Sequence, residues 1–67
     1  MNRELVAEKL IAARGTRPRE EVAVACGISV SAVAMYEQGM RVPKDDINIR
    51  LANYYGTTVE ALFYAQE

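Results

Sequence analysis

Hydrophobic residues recur at helical spacing in five short segments of this chain. The first segment is predicted as a helix from Asn2 to Arg14, in which Val6, Leu10 and Ala13 lie four and three residues apart and form one apolar stripe. Charged residues occupy its other faces. Gly15 follows, and glycine commonly ends a helix because it tolerates the left-handed conformation.

The stretch from Arg17 to Gly39 is predicted to form two helices joined by a tight turn. Gly27 interrupts the apolar pattern, and Ser29 is suited to cap the second helix because its hydroxyl can accept a hydrogen bond from a free backbone N–H group. A helix, a glycine-containing turn and a capped helix are typical of a helix-turn-helix, whose core we place at residues 18–38. The expected inward positions are Val22, Ala23, Cys26, Val33 and Tyr36.

Two more helices are predicted after the loop that contains Pro43. One begins at Lys44 or Asp45 and ends at Gly56. A short fifth helix follows, with Thr57 or Thr58 as its cap; Thr57 and Glu60 also have the spacing of a capping box. Together the five segments predict an all-α bundle. The expected inward positions of the last two helices are Ile47, Leu51, Tyr54 or Tyr55, Val59, Leu62 and Phe63.

Composition narrows the classes of function. A chain of 67 residues is expected to form a single domain, residues 1–67. One cysteine and no histidine exclude an internal disulfide framework and an ordinary zinc cluster, and we expect no metal or other cofactor. There is no convincing nucleophile–base set, so we expect no enzyme. No apolar run approaches the roughly 20 residues of a membrane span and no signal peptide is evident, so a cytoplasmic location is expected.

Charge is distributed unevenly along the chain. The formal net charge is −1, which is unusual for a protein that binds nucleic acid. Residues 14–44 nevertheless carry five basic and three acidic side chains, a balance of +2, whereas residues 45–67 carry one basic and four acidic side chains, a balance of −3. The predicted helix-turn-helix is therefore mildly basic. A balance of +2 is equally compatible with an ordinary solvated surface.

Three motifs follow one another in the order of a known family. These are EEVAxxxGIS from Glu20, VxxYEQGxRxP from Val33 and DxIxIRLAxYYG from Asp45. Their combination closely resembles the phage-repressor and Cro-like helix-turn-helix domain, in the variant found in regulators of Gram-positive bacteria and their prophages. The resemblance extends from Leu10 to Phe63. It implies a five-helix lambda-repressor-like bundle that binds double-stranded DNA as a homodimer and regulates transcription, with Val30–Gln38 as the recognition helix.

The resemblance also implies roles for individual residues. Arg14 and Glu37 stand where the family often has a partly buried ion pair between the first and third helices. Positions that read base edges in the family hold Val30, Ser31 and Met35. Positions that contact phosphate, together with neighbouring basic residues of this chain, give a predicted phosphate-contact set of Arg17, Arg19, Ser29, Gln38, Arg41 and Lys44.

Two departures from the family pattern affect these expectations. Pro18 stands where the family prefers a serine or threonine cap, which is expected to move the cap to Thr16 or Arg17 and to leave Arg19 facing outward. The base-reading positions are also poor in hydrogen-bonding groups. Since Val30 and Met35 cannot form bidentate hydrogen bonds with guanine or adenine, sequence-specific readout is expected to be weak.

Several residues admit a second interpretation. The arginines and Lys44 could serve only solubility, and Met35 could belong to the core. Tyr54 and Tyr55 are expected in the core and at its rim, with base stacking as the alternative. The C-terminal residues Leu62, Phe63 and Tyr64 are predicted to form a dimer interface because their apolar area is large for one short helix. The alternative is that Phe63 fills the core of its own chain and Tyr64 is merely exposed.

Two hypotheses about function remain. The first is a DNA-binding transcriptional regulator without a small-molecule ligand. The second is a protein-interaction module, an antirepressor or adaptor, that retains the fold with weak or no specific DNA binding. The apolar recognition-helix residues Val30, Ala34 and Met35 and the acidic net charge favour the second hypothesis.

Overall fold

The protein is all-helical over the residues that the structure describes. The computed structural model describes residues 2–64. It contains α1 (Arg3–Arg14), α2 (Arg19–Cys26), α3 (Val30–Glu37), α4 (Asp45–Tyr55) and a C-terminal π-helix (Glu60–Tyr64). The five predicted helices are therefore confirmed as elements. None of the helices in residues 2–64 has the length and apolar character needed to cross a membrane.

Side-chain hydrogen bonds cap the first and the last of these helices. The Asn2 side chain accepts hydrogen bonds from the N–H groups of Glu4 and Leu5 at 2.9 and 3.1 Å, so Asn2 caps α1 and is not its first residue. Thr58 Oγ1 accepts from Ala61 N at 3.1 Å. Of the two predicted caps, Thr58 is therefore the one used, and the capping box expected from Thr57 does not form.

The start of α2 differs from the prediction. Pro18 is the N-cap residue, with extended backbone angles and no side-chain hydrogen bond, and the helix begins at Arg19. The expectation that Thr16 or Arg17 caps this helix is therefore wrong. Proline supplies a favourable φ here without a capping oxygen. Glu20 and Glu21 stabilise this end instead, because their negative charges lie in the first turn near the positive end of the helix dipole.

The turn between α2 and α3 is closed by backbone hydrogen bonds. Gly27 adopts the left-handed conformation with φ 68°, and Ile28 N donates to Ala23 O at 3.0 Å. Ser29 Oγ then accepts from Ala32 N at 3.0 Å, which confirms the predicted cap of α3. Arg50 of α4 supports the turn from outside, since its Nη1 donates to Cys26 O at 3.3 Å.

The core lies where the inward faces of the helices meet. All five predicted inward residues of the helix-turn-helix are buried. Ile47, Tyr54, Tyr55 and Val59 are partly buried and pack at its edge. The buried hydrophobic cluster consists of Val6, Leu10, Val22, Ala23, Cys26, Val33, Tyr36, Leu51, Ala52, Leu62 and Phe63.

Asn48 is an unexpected member of the interior. Its side chain is 2 % exposed on the inner face of α4, and its Oδ1 atom has no hydrogen-bond partner among the described residues. A buried polar atom without a partner costs about 1–3 kcal/mol of stability. The sequence pattern did not identify this position because asparagine is usually exposed.

Replacing Asn48 with Leu is expected to stabilise the fold. The substitution removes the unpaired carbonyl oxygen and adds apolar contact, and a gain of about 1 kcal/mol would raise the Tm of a domain of this size by about 4–8 °C. Thermal unfolding followed by circular dichroism measures the shift. Asn53→Leu is the matched control, because Asn53 is exposed on the same helix and its replacement should leave Tm nearly unchanged. A lower Tm for Asn48→Leu would contradict this interpretation.

Candidate nucleic-acid interface

Helix α3 has one face that points away from the core. Val33, Tyr36 and Glu37 are buried, and they lie three and four residues apart on the inner face. The opposite face has exposed residues at its two ends and half-buried residues between them. From the N-terminal to the C-terminal end it carries Ser31, Ala34, Met35 and Gln38.

The predicted base-reading residues occupy or border this outer face. Ser31 is exposed, Val30 is 40 % exposed, and Met35 is half-buried. Met35 is therefore neither fully in the core nor fully exposed, and its contact with bases stays a prediction. Ala34 was named in the sequence only for its apolar character, but its spacing places it in the middle of the same face. Because its side chain is small, Ala34 projects little from the centre of this face.

The dimensions of α3 suit the major groove of DNA. An α-helix with its side chains is about 10–12 Å in diameter, and the major groove is about 12 Å wide, so the 8-residue α3 can lie within the groove. Ser29 lies at one end of α3 and Gln38 at the other, and both are exposed. Polar groups that could meet phosphates therefore flank the apolar centre of the face.

A buried carboxylate joins three helices beneath the C-terminal end of α3. Glu37 has a side chain only 1 % exposed, and it accepts from Arg14 Nε at 2.7 Å and from Arg14 Nη2 at 3.0 Å. This is the contact that the family resemblance implies. The hydrogen bond from Arg14 to Glu37 raises the pKa of Arg14, so the guanidinium is charged at any ordinary pH.

Arg19 is a second partner of the same carboxylate, which sequence reasoning missed. Arg19 Nε donates to Glu37 Oε1 at 3.0 Å, while 36 % of the Arg19 side chain stays exposed. The expectation that Arg19 simply faces outward is therefore incomplete. One part of its guanidinium is held by Glu37 and the remainder reaches the surface beside the C-terminal end of α3. Two arginines and one glutamate give this cluster a formal charge of +1.

Arg17, a predicted phosphate contact, makes several contacts within the chain. Its Nη2 donates to Ala13 O at 2.7 Å and its Nε donates to Arg14 O at 3.2 Å, so it satisfies carbonyl groups at the C-terminal end of α1. Its guanidinium also lies 5.1 and 5.2 Å from the ring centroids of Tyr54 and Tyr55. With these contacts formed, the Nε and Nη2 groups of the half-buried Arg17 are engaged within the protein.

Tyr54 and Tyr55, whose rings lie beside Arg17, make further contacts within the chain. Their rings meet edge to face at 5.2 Å, and Tyr54 donates its hydroxyl proton to Glu21 Oε2 at 2.6 Å. Burial, together with the nearby charge of Glu37, raises the pKa of Tyr55 to about 12. Both tyrosines are half-buried, as expected for core and rim positions, and in this arrangement their rings serve contacts within the chain.

Arg41 and Lys44 lie in the loop between α3 and α4. Both side chains are exposed, and neither forms an ion pair with another residue in 2–64. Pro43, between them, is buried and anchors the loop. The two cations lie three and six residues beyond Gln38, on the segment that follows α3.

The residues predicted to form a dimer interface are mostly internal. Leu62 is 5 % exposed and Phe63 is 2 % exposed, and both belong to the buried cluster. In this conformation both side chains are enclosed within their own chain, as the alternative for Phe63 expects, and their place in a dimer interface stays an untested prediction. Tyr64 is 48 % exposed. The π-helix directs two of its apolar side chains inward, where they pack against the other helices.

Comparison with known proteins agrees with this geometry. A family model described as helix-turn-helix matches residues 6–62, which is most of the chain. No curated protein and no solved structure matches it. The match covers most of α1, all of α2, α3 and α4, and part of the π-helix, and it confirms the family resemblance seen in the sequence motifs.

Proposed function

This chain belongs to the helix-turn-helix family, whose members bind DNA, and we propose that it is a cytoplasmic transcriptional regulator that inserts α3 into the major groove. The observation that carries the proposal is the outer face of α3. Its apolar centre lies between exposed polar ends at Ser29 and Gln38, and a helix about 10–12 Å in diameter fits a groove about 12 Å wide.

Most of the binding energy is proposed to come from the DNA backbone. Arg19, Arg41 and Lys44 are exposed or part-exposed near the C-terminal end of α3, where phosphates of one groove wall would lie. Ser29 and Gln38 add neutral hydrogen-bonding groups at the two ends. Arg17 is left out of this set because it is occupied at the end of α1.

The salt dependence of duplex binding tests the proposal. The wild-type protein should retard random duplex DNA at low salt and lose affinity steeply as salt rises. Lys44→Ala should weaken binding to all sequences equally and lower the slope of log K against log salt by about one unit. Lys9→Ala on α1 is the charge-matched control and should leave the slope unchanged. Failure of the wild type to bind duplex at low salt would overturn the proposal.

Base readout by α3 is proposed to be weak and directed to A·T pairs. Val30 and Met35 offer only apolar groups, which contact the thymine methyl best, and Ser31 can bond to several bases. Met35→Gln should add a preference for adenine without abolishing binding, because glutamine can bond to adenine N6 and N7. Selection from a random duplex library compares the two proteins. A sharp G·C-rich consensus for the wild type would contradict this argument.

We also propose that two copies bind one site. Helix-turn-helix dimers place their recognition helices about 34 Å apart on one face of the duplex. Since Leu62 and Phe63 are buried, they are not part of the proposed contact. Sedimentation equilibrium of the free protein and of its complex with a palindromic duplex measures the stoichiometry. A monomer in both conditions would exclude the dimer.

The alternative function is a protein-interaction module. The observation that favours it is apolar exposure at the two ends of α3, where Val30, its first residue, is 40 % exposed and Met40, three residues after its last, is 62 % exposed. Exposed apolar side chains of this kind can mark a protein contact. The duplex experiment separates the two functions, because an interaction module of this kind should not bind random duplex even at low salt.

A further inference from the structure

We propose that Glu37 is a positioning residue for DNA binding, which orients the guanidinium of Arg19 toward a backbone phosphate. This inference rests on the proposed function. It assigns to Glu37 a role beyond its ion pair with Arg14: the same carboxylate that joins α1 to α3 also sets the direction of a side chain from α2.

The geometry of the arginine carries the argument. A guanidinium is a rigid planar fork with donors on different edges. Arg19 donates its Nε proton inward to Glu37 Oε1 at 3.0 Å. Its two Nη groups extend beyond Nε, so holding Nε against a buried oxygen directs the outer edge away from that oxygen. With the side chain 36 % exposed, this edge is available for the bidentate contact that arginine makes with phosphate.

Glu37 can serve two partners because its position is rigid. Its side chain is 1 % exposed, and both of its oxygens are held by Arg14, at 2.7 and 3.0 Å. Arg14 also donates Nη1 to Arg17 O at 2.7 Å, which fixes the guanidinium to the loop before α2. Arg14 neutralises the carboxylate, so the charge of Arg19 is left for the phosphate. Pre-orientation lowers the entropy lost when Arg19 binds.

The position of Arg19 in the fold supports this role. Its partner Glu37 is the last residue of α3, and the exposed Gln38 follows it directly. The ion pair therefore brings the first residue of α2 to the C-terminal end of the recognition helix. Arg19 and Gln38 are then placed to contact the same stretch of backbone.

A double-mutant cycle tests the inference. Affinity for one duplex is measured for the wild type, Glu37→Gln, Arg19→Ala and the double variant, each confirmed as folded by circular dichroism. Glu37→Gln changes the charge equally in both backgrounds, so that effect cancels in the cycle. We expect Glu37→Gln to weaken binding by about tenfold more when Arg19 is present than in the Arg19→Ala background, a coupling of the size seen between contacting residues. Equal factors in the two backgrounds would overturn the inference and leave the proposed function intact.

A second variant keeps the inference testable if Glu37→Gln does not fold. Arg19→Lys retains the positive charge but has a single ammonium group, which cannot donate to Glu37 and present a separate two-donor edge to phosphate. It should bind duplex several-fold more weakly with an unchanged salt slope, because the number of charges is the same. Wild-type affinity for Arg19→Lys would overturn the inference. Absence of duplex binding by the wild type would overturn the proposed function and this inference with it.

Discussion

Glu37→Ala is expected to destabilise the protein by about 3–5 kcal/mol, because it leaves the guanidinium of Arg14 partly buried without a counter-charge. The Arg14 side chain is only 18 % exposed, and Glu37 is its acidic partner among the described residues. A domain of fewer than about 70–80 residues has at most about 3–5 kcal/mol from its core. The variant should therefore be largely unfolded at room temperature. Urea unfolding followed by circular dichroism measures the loss.

The control for this experiment is Glu8→Ala. Glu8 is an exposed residue of α1, and its removal should change the free energy of unfolding by no more than about 0.5 kcal/mol. The two variants lose the same charge, so the comparison separates burial and pairing from net charge. A Glu37→Ala protein as stable as Glu8→Ala would show that the buried carboxylate does not hold the three helices together.

Phe63→Ala is expected to have an effect of similar size through a different mechanism. The side chain is 2 % exposed in the π-helix and belongs to the buried cluster, so its removal loses apolar burial and leaves a cavity. Such truncations cost about 3–5 kcal/mol. Tyr64→Ala is the matched control, because Tyr64 is the next residue and is 48 % exposed. Its truncation should cost far less.

The concentration dependence of unfolding gives a further check on Phe63. Truncation of a core residue destabilises the monomer itself, so the effect of Phe63→Ala on Tm should be the same at all protein concentrations. A residue in a dimer interface would instead produce a loss that varies with concentration, since association stabilises by mass action. Thermal unfolding of wild type and Phe63→Ala at several concentrations measures this. A concentration-dependent difference would return Phe63 to a dimer surface.

Features that depend only on residues close together in the sequence could be predicted from the sequence alone. Ser29 caps α3 because a serine hydroxyl can reach an N–H group three residues ahead, and such a contact needs no other part of the chain. Gly27 ends α2 because the turn requires a positive φ at this one residue, and glycine adopts that conformation without a steric penalty. The inward faces of α2 and α3 followed from helical spacing for the same reason. The family motifs then supplied the order of the helices.

The tertiary structure alone decided how side chains from different helices share partners. Arg17, Arg19 and Lys44 are all basic residues in or near the helix-turn-helix, but Arg17 lies against two tyrosines, Arg19 shares Glu37 and Lys44 is free of ion pairs within residues 2–64. Sequence spacing does not distinguish them, because the two tyrosines lie 37 and 38 residues from Arg17 and Glu37 lies 18 residues from Arg19.

The tertiary structure alone also decided that Leu62 and Phe63 of the π-helix are buried within their own chain. An apolar run such as Leu62 and Phe63 has the same pattern whether it fills the core of its own chain or covers another copy. Asn48 is the reverse case, since its polar side chain predicts exposure but the packing of α4 places it inside. The physical reason is that the sequence determines local hydrogen bonds and periodicity directly. Which surfaces meet, and which charge pairs with which, depends on how the helices pack.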